Sequence, residues 1–191
     1  MFPPRVDGTA PDWAALYELA SSQGGRFTIE QALELGFSRQ LVSHHLARGR
    51  FERSRRGIYA VAHLPRSEDD DLVLDWLWSG REGIFSHDTA LWLHGLSDLL
   101  PRRRHLSVPE DWQARKLAVP RGLVLYYGLP PKKEREWKDI LPVTTPLRTL
   151  ADCRAAGLSL DLLEQAFEEG IASGLLPRRR ARALRKELLA T

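Results

Sequence analysis

The segment from Thr28 to Val61 constrains the fold of this chain most, because its pattern predicts two short helices joined by a tight turn. Leu33 and Leu35 end the apolar face of the first helix, and Gly36 follows where the backbone must turn. Ser38 then stands where the N-cap of the second helix belongs. The order of elements is therefore that of a helix-turn-helix, with the second helix running to Arg48.

A hairpin rich in arginine follows the two helices. Phe51, Ile58 and Tyr59 favour strands, and Gly57 is placed at the turn. Residues 39 to 56 include one acidic residue, Glu52, and six arginines, which are Arg39, Arg48, Arg50, Arg53, Arg55 and Arg56. This local charge of +5 exceeds the formal charge of +3 of the whole chain. Helix-turn-helix plus hairpin predicts a winged helix-turn-helix, whose charge suits a phosphate backbone.

The second helix has two distinct faces at about 100° per residue. One face is formed by Leu41, Val42, His45 and Leu46, so we interpret His45 as a core residue. The opposite face is formed by Gln40, Ser43, His44 and Ala47, with Arg39 and Arg48 on its flanks. Small residues on this face allow close approach to a major groove, and glutamine is a good bidentate partner of adenine.

We therefore predict a DNA-binding surface made of this outer face and the hairpin. The predicted residues are Ser38, Arg39, Gln40, Ser43, His44, Arg48, Arg50, Arg53, Arg55 and Arg56. Gln40 and His44 would select the sequence, and the hairpin arginines would contact phosphates. The alternative is a solvated basic edge on an ordinary α/β protein.

Proline and charge cluster near Pro65, where the helical periodicity lapses, and this predicts a domain boundary. We expect a winged helix-turn-helix domain at 1–66 and a mixed α+β domain with a small sheet at 67–191. The fold class is thus α+β. In the second domain, strands are predicted at Arg104–Val108 and Leu123–Tyr127, and helices near 160–173 and 177–189.

Composition excludes several classes of protein. A hydrophobic content of 43% indicates a folded protein, and the single Cys153 excludes an internal disulfide framework or a multi-cysteine zinc site. We expect no cofactor and no metal site. The first 25 residues show no secretory signal pattern, and no apolar run is long enough to cross a bilayer. We therefore expect a cytoplasmic protein without membrane contact.

The polar motifs of the second domain are interpreted as structural, so we predict no catalytic residue and no enzyme. Ser86, His87, Asp88 and His94 lack metal-ligand spacing; Ser86 is expected to cap a helix and His94 to bond carbonyls in its last turn. Glu136-Trp137-Lys138 matches half of a nuclease signature without a nearby partner aspartate. Arginines in the final helix are expected to pair with acids of the preceding one.

Two stretches in the second domain resemble a known family. Ser86 to Leu96 and Val143 to Asp152 stand in order behind the predicted winged module. Together these features resemble the AbiEi-family antitoxins of type IV toxin–antitoxin systems. The resemblance implies a transcriptional repressor that binds inverted repeats in double-stranded operator DNA and, in true antitoxins, neutralises a nucleotidyltransferase-like toxin. Two alternatives stay open: a DNA-tethered nuclease or nucleotidyltransferase, and a winged-helix module that binds protein.

Overall fold

The computed structural model describes residues 10–66, 69–98 and 101–189, which divide into two compact units, Met1–Trp78 and Ser79–Thr191. Helices and two sheets confirm the expected mixed α+β class. The domain boundary was expected between residues 66 and 67, beside residues 67–68, which lie outside the described residues. The expected division into domains stays a prediction; the helix Asp70–Trp78 lies in the first unit, where Asp70 pairs with Arg26 and Asp75 with Arg55.

The first unit contains four helices and one three-stranded antiparallel sheet. In chain order its elements are α1 (Trp13–Ser21), β1 (Arg26–Thr28), α2 (Ile29–Glu34), α3 (Arg39–Ala47), β2 (Phe51–Arg55), β3 (Ile58–Val61) and α4 (Asp70–Trp78). The strands lie in the order β1-β3-β2, so the hairpin β2–β3 gains a third strand that the sequence did not predict.

Local sequence signals set the helix boundaries in this unit. Asp12 caps α1 by accepting the N–H of Ala15, and Thr28 forms a reciprocal capping box with Gln31 at the start of α2. The predicted turn at Gly36 is confirmed, since its φ of 82° lies in the left-handed region that glycine tolerates best. These caps fix where α2 ends and α3 begins.

The core of the first unit is rich in aromatic rings. The rings of Phe27 and Phe51 meet edge-on with centroids 4.9 Å apart, and Trp13 meets Phe37 at the same distance. The fully enclosed residues of this core lie between Leu16 and Val61. Helices α1 to α3 and the sheet therefore share one apolar core.

The second unit contains four helices and a five-stranded mixed sheet. Its elements are β4 (Ile84–Phe85), α5 (His87–Leu93), β5 (Arg104–Val108), β6 (Leu123–Tyr127), β7 (Arg135–Lys138), β8 (Leu141–Thr144), α6 (Pro146–Ala155), α7 (Leu160–Ala172) and α8 (Arg178–Leu189), with 3-10 turns at Glu110–Ala114 and Lys132–Glu134. The strand order is β6-β5-β4-β8-β7. The predicted strands β5 and β6 are confirmed, whereas β4, β7 and β8 were not predicted.

Helices α5 to α8 of this unit share an apolar core. Leu163, Ala166 and Phe167 of α7 are buried together with Leu150 of α6. Cys153 is buried in the same core, and burial raises the pKa of its thiol far above the ordinary value. This thiol is therefore protonated and unreactive at neutral pH. In the described part of the chain, no helix is long and apolar enough to cross a bilayer.

Candidate nucleic-acid interface

Helix α3 carries the polar face that the sequence predicts. Ser38 caps the helix, its Oγ accepting the N–H of Leu41 at 3.1 Å. The outward residues are all exposed, and they are Arg39, Gln40, Ser43, His44, Ala47 and Arg48. The polar side chains of Gln40 and Ser43 form no hydrogen bond with any other residue that the structure describes. This face is thus free to bind an external partner.

The opposite face of α3 is buried in the core, as expected. Val42 and His45 are buried, and the imidazole of His45 meets the Trp13 ring edge-on at 4.7 Å between centroids. Burial, reinforced by the positive charges of Arg50 and Arg48, lowers the pKa of His45. His45 is therefore a neutral core residue at pH 7, and the prediction that it faces the core is confirmed.

The hairpin presents its arginines in two different directions. Arg53 and Arg56 are exposed, and neither forms an ion pair within residues 10–66, 69–98 and 101–189. Gly57 makes the turn with a φ of 78°, as predicted. Arg50, just before β2, is also exposed. These three arginines extend the positive surface of α3 beyond the helix.

Arg55 differs from the other hairpin arginines because it has ionic partners on α4. Its guanidinium pairs with the carboxylate of Asp75 at 2.5 Å and lies 3.7 Å from that of Asp71, both on α4. The Arg55 side chain is only 24% exposed and that of Asp75 is fully buried. A buried carboxylate requires a charged or hydrogen-bonding partner, so Arg55 is already engaged inside the protein. The predicted contact of Arg55 with phosphate stays a prediction.

Sequence reasoning also missed the acidic partners on α4. Aspartates at the start of a helix favour its N-terminus whether or not they also form ion pairs, so their position alone does not reveal a partner. In the structure Asp70 pairs with Arg26, which is itself buried, and Asp75 pairs with Arg55. The one available signal was the run Asp69 to Asp71 with Asp75 one turn later, behind a segment unusually rich in arginine.

The serine–histidine motif of the second unit forms a closed polar cluster. The hydroxyl of Ser107 donates to the Oγ of Ser86 at 2.8 Å, and the Oγ of Ser86 lies 2.9 Å from Nδ1 of His87. The His87 ring stacks on Tyr126 at 3.5 Å between centroids. Ser86 occupies the N-cap position, but its side chain makes no capping bond, so its expected role is corrected. The competing bonds to Ser107 and His87 explain the difference.

His87 is strained as well as buried. Its φ of 52° places a non-glycine residue in the left-handed region. Burial lowers the pKa of His87 to about 4, and the nearby His105 and Arg148 act in the same direction. The imidazole is therefore neutral at pH 7. Because Ser86 is fully enclosed, its hydroxyl is not exposed to a substrate from solution.

His94 has a different partner from the one expected. Its Nε2 donates to the carbonyl of Thr144 on β8 at 2.7 Å, not to carbonyls of its own last turn. Glu136 and Lys138 of the nuclease-like triplet lie on β7, an edge strand, and Glu136 lies 3.8 Å from Nδ1 of His94. The part of the chain that the structure describes holds no group of three or more His, Cys, Asp or Glu side chains suited to a metal ion.

The expected pairing between α7 and α8 is observed for one arginine, Arg185. Arg185 of α8 forms an ion pair with Glu164 of α7, and Glu168 lies near the same guanidinium at 3.9 Å. On α6, Arg148 pairs with both Glu134 and Asp152. The charged groups at these positions are engaged within the second unit.

Comparison with known proteins finds a family match in the first unit. A family model described as "Transcriptional regulator, AbiEi antitoxin" matches residues 15–62, which include most of α1 and all of α2, α3 and the hairpin. The resemblance to the AbiEi family is confirmed over this segment. The matching AbiEi model describes a regulator and antitoxin rather than an enzyme. The two AbiEi-like stretches of the second unit lie outside the match and stay predictions.

Two further comparisons concern whole proteins. No curated protein matches this chain in sequence. Among solved structures, the crystal structure of the RV2827C protein from Mycobacterium tuberculosis is similar, with a TM-score of 0.45 and 20% sequence identity. The similarity covers 96% of this chain and 84% of that one.

Proposed function

We propose that the first unit is a winged helix-turn-helix that binds double-stranded DNA, with α3 in the major groove and the hairpin as the wing. The observation that carries the proposal is the outward face of α3, which is polar and exposed, and whose Gln40 and Ser43 side chains bond to no other residue that the structure describes. A helix that packed only for stability would have no need of an adjacent concentration of positive charge. This combination fits a recognition helix beside phosphate-binding arginines.

The residues divide by role. Gln40 and His44 would read base edges, and Ser43 would allow the helix to approach closely. Ser38 would act chiefly through the cap that orients the helix. The remaining exposed cations would bind phosphates without sequence preference, and they are Arg39, Arg48, Arg50, Arg53 and Arg56.

The AbiEi model that matches residues 15–62 supports a proposal for the biological role. We propose that the chain represses transcription of its own operon by binding inverted repeats, and that it acts as the antitoxin of a type IV system with a nucleotidyltransferase-like toxin. An operon that encodes such a toxin beside this reading frame would support the assignment. The second unit would then contact the toxin or orient two winged modules on paired half-sites, without catalysis.

Binding to the chain's own upstream DNA tests the proposal. Fluorescence anisotropy of the full chain is measured with a labelled upstream duplex and with a duplex of the same composition in shuffled order. We expect tighter binding to the upstream duplex and a footprint over paired half-sites. Equal affinity for both duplexes would contradict a sequence-specific repressor.

The same mixtures, given Mg²⁺ or Mn²⁺ and nucleoside triphosphates, test for an enzyme. We expect stable complexes and no change in the DNA or the nucleotides. Product that disappears in Glu136→Ala or Lys138→Ala would favour the DNA-tethered nuclease or nucleotidyltransferase instead.

A further inference from the structure

We propose that Arg55 is a positioning residue that fixes the hairpin against helix α4, and that α4 thereby belongs to the DNA-binding machinery. The inference rests on the proposed function of the hairpin as a DNA-contacting wing. It assigns to Arg55 a role different from those of Arg53 and Arg56, although all three arginines lie within four residues of one another.

A bulge in β2 explains why Arg55 differs from Arg53. Arg53 pairs with Tyr59 across the hairpin, but the next pair joins Arg55 to Ile58, so Ser54 is an extra residue in the strand. In an unbroken strand residue 55 would share the face of Arg53, because side chains alternate with a period of two. The extra residue turns Arg55 to the face of Glu52 instead.

The carboxylates that pair with Arg55 make movement of its side chain energetically unfavourable. Asp75 is fully buried, and its Oδ1 lies 2.5 Å from Nη1 of Arg55. If the guanidinium turned outward to a phosphate, the ion pair with the buried Asp75 carboxylate would be lost, and breaking a buried ion pair is destabilising. Asp71, which is largely exposed, adds negative charge on the same side. Arg55 is therefore held in place before DNA arrives.

A second ion pair holds α4 at the other side of the sheet. Arg26 on β1 contacts both oxygens of Asp70 at 2.5 and 2.7 Å, and Arg26 is 2% exposed. Strands β1 and β2 are the two outer strands of the sheet, on either side of β3. Each of them is joined to α4 by an ion pair of one arginine. The two ion pairs restrict the angle of the hairpin. They thereby reduce the conformational entropy that the hairpin loses when it binds a duplex.

The test uses the full chain and three variants at the pair: Arg55→Gln, Asp75→Asn and the double variant. Arg53→Gln is the matched control, because it removes the same charge two residues away at an exposed position. Affinity for the upstream duplex is measured over a salt series, and hydrogen exchange of the amides at residues 54–58 is measured without DNA. Thermal unfolding identifies any variant that fails to fold.

We expect Arg55→Gln to weaken binding by roughly tenfold with an unchanged salt slope, and Arg53→Gln to lower the slope by about one. Asp75→Asn should weaken binding too, although it removes a negative charge. The double variant removes both charges of the pair together, so it should fold and recover part of the affinity lost in Arg55→Gln. Hairpin amides should exchange faster in both single variants.

The proposal is overturned if Arg55→Gln lowers the salt slope as much as Arg53→Gln, or if Asp75→Asn tightens binding by releasing Arg55 to phosphate. If the wild-type chain binds no duplex, the proposed function fails. The exchange experiment then still tests whether the Arg55–Asp75 pair fixes the hairpin against α4. In that case unchanged exchange at residues 54–58 in Arg55→Gln and in the double variant would refute it, and faster exchange would support it.

Discussion

The outer face of α3 and the serine–histidine cluster of the second unit contain similar residue types in opposite situations. Gln40, Ser43 and His44 are exposed, and the amide of Gln40 and the hydroxyl of Ser43 bond to no other described residue. Ser86 and His87 are buried, and the Oγ of Ser86 bonds to Nδ1 of His87 and to the hydroxyl of Ser107. A polar motif indicates binding only when its hydrogen-bonding groups are not already used by the fold. The following experiments test that distinction.

The largest effect is expected at His87, as a change in the pH dependence of stability. Its pKa is about 4 in the folded protein, against 6.5 for an ordinary histidine. As pH falls between these values the unfolded chain binds a proton that the folded chain does not, so the free energy of unfolding drops by about 3 kcal/mol. His87→Asn, which tolerates a positive φ, should remove this component.

Urea unfolding of the wild type and of His87→Asn at pH 7 and pH 4 measures the difference. The control is His63→Asn, at an exposed histidine of the first unit. Equal losses of stability in His87→Asn and the wild type would show that His87 is not buried in its neutral form.

The next largest effect is expected at Thr149. Its Oγ1 lies 2.7 Å from that of Thr144 and donates to the Thr144 carbonyl at 3.1 Å, with both residues fully buried. Thr149→Val keeps the shape but leaves the Thr144 hydroxyl without this partner, so unfolding should become easier by about 2 kcal/mol. DNA affinity should not change. Thr145→Val is the control, because the Thr145 side chain makes no capping bond; a similar cost there would refute a specific role of the buried pair.

A smaller change is expected at the outer face of α3, and it concerns recognition rather than stability. Gln40→Ala should reduce the preference for the upstream duplex over the shuffled one by about tenfold, which is about 1.4 kcal/mol. His44→Ala should act in the same way. Gln113→Ala changes an exposed glutamine of the second unit and should have no effect. A large loss of thermal stability in Gln40→Ala would mean that this side chain serves the fold.

The smallest change in affinity is expected for single exposed arginines of the hairpin, because salt screens their charges. Arg56→Gln should weaken binding to both duplexes alike and lower the salt slope by about one. Arg121→Gln, at an exposed arginine of the second unit, should leave the slope unchanged. A loss confined to the upstream duplex would instead place Arg56 among the residues that read sequence.

Local patterns in the sequence determined the elements that depend on nearby residues. The N-cap at Ser38, the turn at Gly36 and the two faces of α3 were predicted because helical period and capping act within a few residues. The strands β5 and β6 and the helix α7 were predicted for the same reason. These features sufficed to outline the candidate interface and to place His45 in the core.

Only the tertiary structure decided which polar residues remain available. The bulge at Ser54 shifts the register by one residue, and no period in the sequence marks it, so Arg55 was grouped with Arg53. Arg26 pairs with Asp70, 44 positions later in the chain, and Arg55 pairs with Asp75, 20 positions later. Both aspartates lie on α4. Short strands such as β4 form because neighbouring strands complete their hydrogen bonds. Contacts between residues distant in the chain, rather than local propensity, therefore determine which arginines are exposed, such as Arg53, and which are paired inside the first unit, such as Arg55.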